Sequence, residues 1–325
     1  MRIEPSGSKT PSRSVIAGAI ALLIAIWALN FIAGKIGLQY LPPMALASFR
    51  VVLAGAVMVP VYFVGSRLPV FSEAAKFRRQ GFAARDLWTF SYLGFFGVTV
   101  NQMCFTAGLA FTLVSHSALI VGLSPVYILV LAVPLRLERA TWRKTAGMMI
   151  ALLGIVVLAS ENGVSVHSAS LTGDAITMTG SIGFAIYVVL GKRVAQKYDT
   201  LTMTAFNHFA GALIVLPLAT YEAAILVRAG HLKGLPWHAW AALLYMAILS
   251  SALAYVFYFW LLRYLEASQL AAFTYLLPVT ATVLGILWLG EKGSWGQLLG
   301  GALALGGVYW IESGREADAK DPTPL

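Results

Sequence analysis

The sequence is poor in charged residues and in cysteine. Asp, Glu, Lys and Arg make up 11% of the 325 residues, whereas about a quarter of a typical soluble domain is charged. Apolar residues make up 59%. This excludes a disordered chain and a typical soluble enzyme, because a soluble protein of this composition exposes large apolar patches. The single cysteine, Cys104, excludes an intramolecular disulfide and therefore a disulfide-stapled secreted domain.

Signatures of enzymes and cofactor sites are also missing from the sequence. It contains no His and Cys set at metal-ligand spacing and no G-x-S-x-G elbow. The glycine clusters, such as Gly290-Glu291-Lys292-Gly293, do not form a phosphate-binding loop. We therefore predict a protein that is not an enzyme and that has no catalytic residue, no metal ion and no cofactor.

Long apolar runs dominate the rest of the chain. A helix needs about 20 mostly apolar residues to cross a bilayer, and the alternating pattern of barrel strands is absent. The stretch 87–135 has no Asp, Glu, Lys or Arg and is too long for one helix, so we divide it at Thr112–Ser115. The fold class predicted is an all-α integral membrane protein with ten transmembrane helices, over residues 15–34, 44–65, 87–110, 116–135, 145–161, 171–191, 201–220, 239–262, 268–289 and 294–311.

Basic residues follow the predicted topology. With the N-terminus inside, 18 of the 23 Lys and Arg residues fall on the inner side, which predicts cytoplasmic N- and C-termini in a multi-pass protein of the cytoplasmic (inner) membrane. The net charge of +9 is then a topology signal, so we expect no nucleic-acid partner. The expected partners are membrane lipids and a small-molecule substrate, with the protein a monomer or homodimer.

The two halves of the chain resemble each other. A shift of 153 residues aligns Pro125 with Pro278, Glu138 with Glu291, Trp142 with Trp295, Gly147 with Gly300 and Gly154 with Gly307. A shift of 157 aligns Gly34-Lys35 with Gly191-Lys192, Gln39 with Gln196, Phe49 with Phe206 and Pro60 with Pro217. Five helices per half is an odd number, so the second half enters the membrane from the opposite side. Such inverted repeats are typical of secondary transporters, although a duplication kept only for folding gives the same pattern.

These repeats divide the chain into five segments. We predict a cytoplasmic N-terminal tail at 1–14, a first five-helix repeat at 15–161, an external linker at 162–170, a second five-helix repeat at 171–312 and a cytoplasmic C-terminal tail at 313–325. Glycine pairs in spans five and ten suit close helix packing, so we expect both spans to lie at the periphery.

Three local patterns resemble a known family. They are Trp27-Ala28-Leu29-Asn30-Phe31 in the first span, Phe49-Arg50 in the second, and the paired blocks Pro125…Glu138…Gly147 and Pro278…Gly290-Glu291…Gly300. Together with two five-span halves over about residues 15–312, they resemble the drug/metabolite transporter superfamily in its EamA-type branch. Ala28 stands where that family often has Gly. The resemblance implies transport of small organic solutes, often amino-acid export, and a central cavity lined by spans 1, 3, 4, 6, 8 and 9.

Polar and aromatic residues at mid-span depth are the candidate cavity residues. They suit a zwitterion with an apolar side chain, because amides and hydroxyls bond its charged ends and aromatic rings hold the rest. Interhelical hydrogen bonding is the alternative for the amides, and an interfacial aromatic belt is the alternative for Trp and Tyr. The predicted set is Trp27, Asn30, Asn101, Gln102, Phe105, Tyr187, Tyr255, Tyr258, Thr274 and Tyr275.

Charged and titratable residues inside the spans are few. Arg50 is the only Lys or Arg well inside a span, and it either binds an anion such as a carboxylate or makes structural bonds, including snorkelling to headgroups. The histidines within spans are His116 and His208. No carboxylate lies at mid-span, which favours facilitated flux or weakly coupled export over proton-driven transport.

Two prolines interrupt the predicted spans four and nine. Pro125 and Pro278 each remove a helical hydrogen bond at mid-span. They act either as hinges for alternating access or as static kinks whose neighbours satisfy the freed backbone groups.

The function predicted from these observations is export of small organic metabolites, first of all amino acids, by alternating access. Open alternatives are another solute class in the same fold (a nucleoside, sugar, polyamine or drug), a non-transporting receptor or scaffold, and an integral-membrane enzyme. An enzyme of this kind requires an intramembrane acid–base pair, and no such pair is visible in the sequence.

Overall fold

A computed structural model gives the conformation of most of the chain. It describes residues 11–67, 84–112, 117, 120–161, 168–195, 197–277, 279–280 and 295–320. Within these ranges the regular structure is helical throughout, with no strand, which confirms the predicted all-α membrane class. Six of the described helices are long and apolar enough to cross a membrane.

The helices follow the predicted order along the chain. They are α1 (Arg13–Leu38), α2 (Pro43–Gly65), α3 (Ala84–Phe111), α4 (Ile120–Ala132), α5 (Trp142–Glu161), α6 (Ser168–Val194), α7 (Thr200–Arg228), α8 (Trp237–Leu262), α9 (Ala267–Ala272) and α10 (Trp295–Lys320). Predicted spans four and nine each include residues outside the described ranges. The count of ten spans and the division into repeats therefore stay predictions.

Several helices run beyond their predicted ends, and α1 and α7 show how such an end is set. The predicted first span stops at Gly34, but α1 continues to Leu38 because Lys35 Nζ donates to the carbonyls of Leu109 at 2.8 Å and Thr112 at 3.0 Å. Helix α7 continues past Pro217 and ends before Gly230, whose φ of +66° suits glycine and stops a right-handed helix.

Helices α3 and α8 share an unusual feature at mid-length. Each contains a π-helical segment, Phe95–Val100 in α3 and Tyr245–Leu253 in α8. The shift of 153 residues maps the first segment onto 248–253, inside the second. Because a π segment inserts a residue into the helix, the residues after it in both helices point in an altered direction. Such segments often lie at functional sites.

Helices α5 and α10 pack against each other through glycine. A Cβ atom built on Gly154 would lie 2.5 Å from the Gly300 carbonyl oxygen, and one on Gly307 would lie 2.5 Å from the Gly147 carbonyl oxygen. The backbones therefore approach more closely than any side chain allows. This packing uses the glycines that the sequence pairs, and neither helix contributes to the cavity described below.

Candidate functional site

A cavity lies between helices of the two halves of the chain. Its empty volume is about 620 Å³, a figure that includes the open space at its mouth, and the enclosed part is much smaller, about 70 Å³. The lining side chains come from both halves of the chain: Trp27, Asn30, Phe31, Arg50, Asn101, Gln102, Phe105, Val121, Ser124, Thr177, Ser181, Phe184, Ser250, Tyr255, Thr274 and Leu277.

Most of the predicted site residues share this one cavity. The predicted residues that line it are Trp27, Asn30, Arg50, Asn101, Gln102, Phe105, Tyr255 and Thr274. The predicted residues that the structure describes away from its lining are Tyr187, Tyr258, Tyr275, His208 and Pro125. His116 and Pro278 lie outside the described residues. Whether the lining residues bind a substrate stays a prediction.

Hydrogen bonds join the two helices that contain π segments. Tyr255 Oη, from α8, donates to Asn101 Oδ1 of α3 at 3.1 Å. Asn101 Nδ2 in turn donates to the Gly180 carbonyl of α6 at 3.1 Å. One step along α8, Ser251 Oγ lies 2.8 Å from Gln102 Oε1. The two amides therefore point across the interface between the halves, where they form part of the cavity wall.

Arg50 enters this wall from α2 and is almost completely buried, with 3% of its surface exposed. Its Nε donates to Ser251 Oγ at 2.9 Å, and its Nη1 donates to Thr106 Oγ1 at 3.4 Å. The guanidinium carbon lies 5.9 Å from the centre of the Phe105 ring, within cation–π range. All of these partners are neutral, and the described residues that line the cavity include no Asp or Glu.

Three lining residues have a polar atom without a partner among the described residues, one of them Gln102 at its Nε2. Asn30 Oδ1 and Ser250 Oγ are both buried and make no hydrogen bond there. The great majority of buried polar atoms in proteins are hydrogen-bonded, so an exception calls for an explanation such as a bound ligand or water. Both atoms belong to residues of the cavity wall, which makes them available to a polar solute.

An aromatic cluster packs around one end of the cavity. The Trp27 ring lies 6.0 Å from Phe184 and 6.1 Å from Tyr255, measured between ring centres. Trp27 Nε1 donates to the Ser250 carbonyl at 3.3 Å, which holds the indole against α8. The rings give the site an apolar wall beside the amides.

Tyr187 and Tyr258 lie behind this wall and are fully buried. Tyr258 packs on Trp27 at 5.5 Å between ring centres, and Tyr187 packs on Tyr255 at 5.9 Å. They support cavity residues from outside the lining. Tyr275 belongs instead to a separate apolar cluster that includes Met148 of α5.

Two adjacent polar residues of α7, Asn207 and His208, are also buried behind the cavity. Asn207 Nδ2 donates to Tyr187 Oη at 3.3 Å. His208 Nδ1 lies 2.9 Å from the Thr204 carbonyl, and its ring packs at 5.1 Å on Tyr255. Both residues contact supporting groups and not the lumen.

Pro125 lies at the beginning of a helical segment. Helix α4 is interrupted by a turn at Leu123 and resumes at Ser124, one residue before Pro125. A proline in the first turn of a helix costs no hydrogen bond, so the interruption accommodates it. Ser124 faces the cavity at this break.

The predicted set omits four polar lining residues, Ser124, Thr177, Ser181 and Ser250. Thr177 and Ser181 of α6 are four residues apart, and Phe184 follows after three, so all three share one face of the helix. The sequence shows this spacing, but small hydroxyl residues are common in membrane helices, so the spacing alone does not indicate a site. Ser250 has no comparable signal, because the π segment sets its direction.

A second polar group, which we call the ionic cluster, lies at the basic-rich helix ends and comprises Glu138, Lys144, Glu266 and Ser268. Glu138 accepts hydrogen bonds from Ser268 N, at 3.1 Å, and from Ser268 Oγ. Lys144 Nζ lies 3.7 Å from Glu138 Oε2 and also pairs with Glu266. The cluster ties the loop after α4 to the start of α5 and the start of α9.

Comparisons with known proteins agree with this architecture. A profile of the EamA-like transporter family matches residues 15–160 and 171–313. An uncharacterized transporter of Archaeoglobus fulgidus is 28% identical over 296 residues, covering 89% of this chain and 94% of its own length. A probable terminal-alkyne amino-acid exporter of Streptantibioticus cattleyicolor is 27% identical, covering 94% and 96%. A solved crystal structure superposes with a TM-score of 0.68 at 19% identity, covering 94% of this chain and all of that one, which supports the fold alone.

Proposed function

The chain belongs to the EamA-like transporter family, and we propose that it exports amino acids from the cytoplasm through the cavity described above. The family establishes a membrane transporter and not an enzyme, as predicted. The substrate class, the direction of transport and the mechanism are our proposal.

The observation that carries the proposal is the mixed lining of a cavity buried within the helices. Amide, hydroxyl and guanidinium groups stand on one part of its wall, and Trp27, Phe184 and Tyr255 supply an aromatic part. This combination suits a small solute with charged ends and an apolar side chain. One relative carries the name of an amino-acid exporter, which makes amino acids the first class to test.

We further propose alternating access between the two halves in the inner membrane, with both termini cytoplasmic and lipids around the α5–α10 pair. The distribution of Lys and Arg supports this orientation. The cavity takes side chains from both halves, as alternating access around a fixed site requires. The assembly proposed is a monomer or homodimer without a nucleic-acid partner.

Coupling to protons is expected to be weak or absent. The described lining residues include no carboxylate, and His208 is buried behind the cavity. A proton-driven carrier commonly uses an intramembrane Asp or Glu. We therefore expect exchange to persist when no pH gradient is imposed.

Counterflow in proteoliposomes tests the proposal. Vesicles loaded with unlabelled amino acid are diluted into labelled amino acid, and parallel sets use nucleosides, sugars and polyamines. We expect exchange of amino acids, with strong loss in Gln102→Ala and Tyr255→Ala. Tyr309→Ala is the matched control, since that tyrosine is 76% exposed on α10. Exchange of another solute class without any amino acid would overturn the substrate assignment, and normal transport by both cavity variants would remove those residues from the path.

A further inference from the structure

We propose that Arg50 binds the carboxylate of the transported solute and thereby restricts this cavity to solutes that carry a free carboxylate. This inference rests on the proposed function, because it concerns the substrate of the same cavity. It names the residue that sets the substrate class and the chemical group that this residue selects.

The first step is the charge balance around Arg50. A buried cation is costly unless an anion or a dense set of hydrogen bonds compensates it. Among the described residues, Arg50 donates to two hydroxyl groups, those of Ser251 and Thr106, and it is 3% exposed. No described carboxylate pairs with it. Within the described part of the chain, this buried cation therefore has no counter-ion.

The second step is the spare donor capacity of the guanidinium group. Arginine has five N–H donors in a planar fork that matches a carboxylate. Nε and Nη1 each make one of the hydrogen bonds named above, so the other N–H donors are spare among the described residues. The side chain belongs to the cavity wall, and its Nε is fixed by Ser251. A fixed, charged fork facing a cavity is suited to a bidentate bond with an anion.

The third step is the opposite end of the solute. Asn30 Oδ1 is a buried acceptor of the cavity wall without a partner among the described residues, so it is suited to accept a hydrogen bond from an ammonium group. The Trp27 ring, on the same helix, adds a surface that attracts cations. Asn30 and Trp27 offer only neutral groups to a cation, whereas Arg50 offers a full positive charge to an anion. A zwitterion or a monocarboxylate fits this balance, and an amine without a carboxylate does not.

A structural role is the competing explanation for Arg50, and it makes a different prediction for stability. If the hydrogen bonds to Ser251 and Thr106 mainly hold the helices together, Arg50→Gln destabilises the protein. If Arg50 instead serves to bind an anion, Arg50→Gln removes an uncompensated buried charge. The melting temperature then stays unchanged or rises, while transport is lost. Melting of the empty protein in detergent therefore separates the two roles.

The selectivity test uses four ligands that differ only in their charged groups. L-phenylalanine has both groups, 3-phenylpropionate has only the carboxylate, and phenethylamine and L-phenylalaninamide have only the amine. Each is tested as a competitor of labelled L-phenylalanine exchange and as a stabiliser in thermal melts of the full-length protein, since a ligand stabilises the state that binds it. We expect the two carboxylates to bind about 10- to 100-fold more tightly than the two amines, as for a charge-assisted bidentate bond.

Substitution of Arg50 then assigns this preference to the residue. In Arg50→Gln we expect carboxylates and amines to bind about equally. Arg50→Lys keeps part of the preference for carboxylates because the charge remains. Arg67→Gln, in the exposed turn that follows the same helix, is the matched control and keeps the full preference. A preference that survives in Arg50→Gln, or equal binding of all four ligands by the wild type, would overturn the inference and leave amino-acid export intact.

The remaining outcomes separate the two proposals. Binding of 3-phenylpropionate that depends on Arg50, without exchange of any amino acid, supports Arg50 as a carboxylate site and contradicts amino-acid export. Binding of phenethylamine alone contradicts both. If neither carboxylate competes or stabilises, the role of Arg50 is overturned.

Discussion

The cavity and the ionic cluster both contain buried polar groups, but the partners of those groups differ. In the cluster, Glu138 and Lys144 face each other, and Ser268 completes the hydrogen bonds of the carboxylate. In the cavity, Arg50 has neutral partners, and Asn30 Oδ1 has none among the described residues. Polar groups that pair with other groups of the protein hold the helices together, whereas polar groups without such a partner are available to bind a ligand.

The first prediction, with the largest expected effect, concerns the cluster. Glu138→Gln removes one of the two carboxylates that pair with Lys144 and weakens the bonds to Ser268, so we expect the protein to lose about 2–3 kcal/mol of stability. Thermal unfolding in detergent measures this loss. Glu222→Gln, at a partly buried position within the last two turns of α7, is the control and should melt like the wild type. If Glu138→Gln melts at the wild-type temperature, the cluster is not a structural element and the contrast with the cavity disappears.

The second prediction applies the opposite expectation to Asn30. Asn30→Ala removes an unpaired buried acceptor, so we expect unchanged or slightly higher thermal stability, with the KM for amino-acid exchange raised about 10-fold through loss of one hydrogen bond to the ammonium group. Counterflow kinetics and thermal melts on the same preparation measure both. A variant that melts early and transports normally would place Asn30 with the structural groups.

The third prediction tests the bond between the two halves. Tyr255→Phe keeps the ring against Trp27 but removes the hydroxyl that donates to Asn101, a loss of about 1 kcal/mol. We expect a reduction of exchange of about fivefold, smaller than for Tyr255→Ala. Tyr309→Phe is the matched control. Equal loss in Tyr255→Phe and Tyr255→Ala would mean that the hydroxyl, and not the ring, carries the contribution.

The sequence predicted the helices better than it predicted their faces. Apolar runs place the helices because each must cover the thickness of the bilayer. The π segments in α3 and α8 depend on tertiary packing, and an extra residue in a turn rotates the following side chains by about 100°. The shift of 153 residues pairs Tyr255 with Gln102, whereas in the structure Tyr255 donates to Asn101. The alignment also gave no means to separate Tyr255, in the wall, from Tyr258 behind it.

The role of Arg50 shows the same limit. Its depth within the second span made it a candidate, but its partners, Ser251 and Thr106, lie 201 and 56 residues away in the chain. Structural and ligand-binding roles cannot be separated without knowing whether those partners carry charge. The ionic cluster was less visible still, because Glu138 has Arg139 as its sequence neighbour while its contacts come from Lys144 and Ser268.

The fourth prediction is the smallest and extends the comparison to an ion pair whose lysine is exposed and whose aspartate is buried. Lys197 Nζ donates to Asp86 Oδ1 at 2.9 Å and is 64% exposed. Hydrogen bonds with Tyr198 and Asp86 raise the pKa of the Lys197 ammonium above its ordinary value. A pKa raised by folding contributes stability below the ordinary pKa, and this contribution is lost as the pH rises through the raised pKa. Lys197→Met should therefore melt slightly below the wild type at neutral pH, with the difference vanishing at strongly alkaline pH and shrinking in high salt. Lys233→Met, at an exposed position, should show no such dependence. A melting-temperature difference between Lys197→Met and the wild type that grows with pH would contradict a stabilising role for this ion pair. A difference as large as that of Glu138→Gln would mean that burial does not separate strong ion pairs from weak ones in this protein.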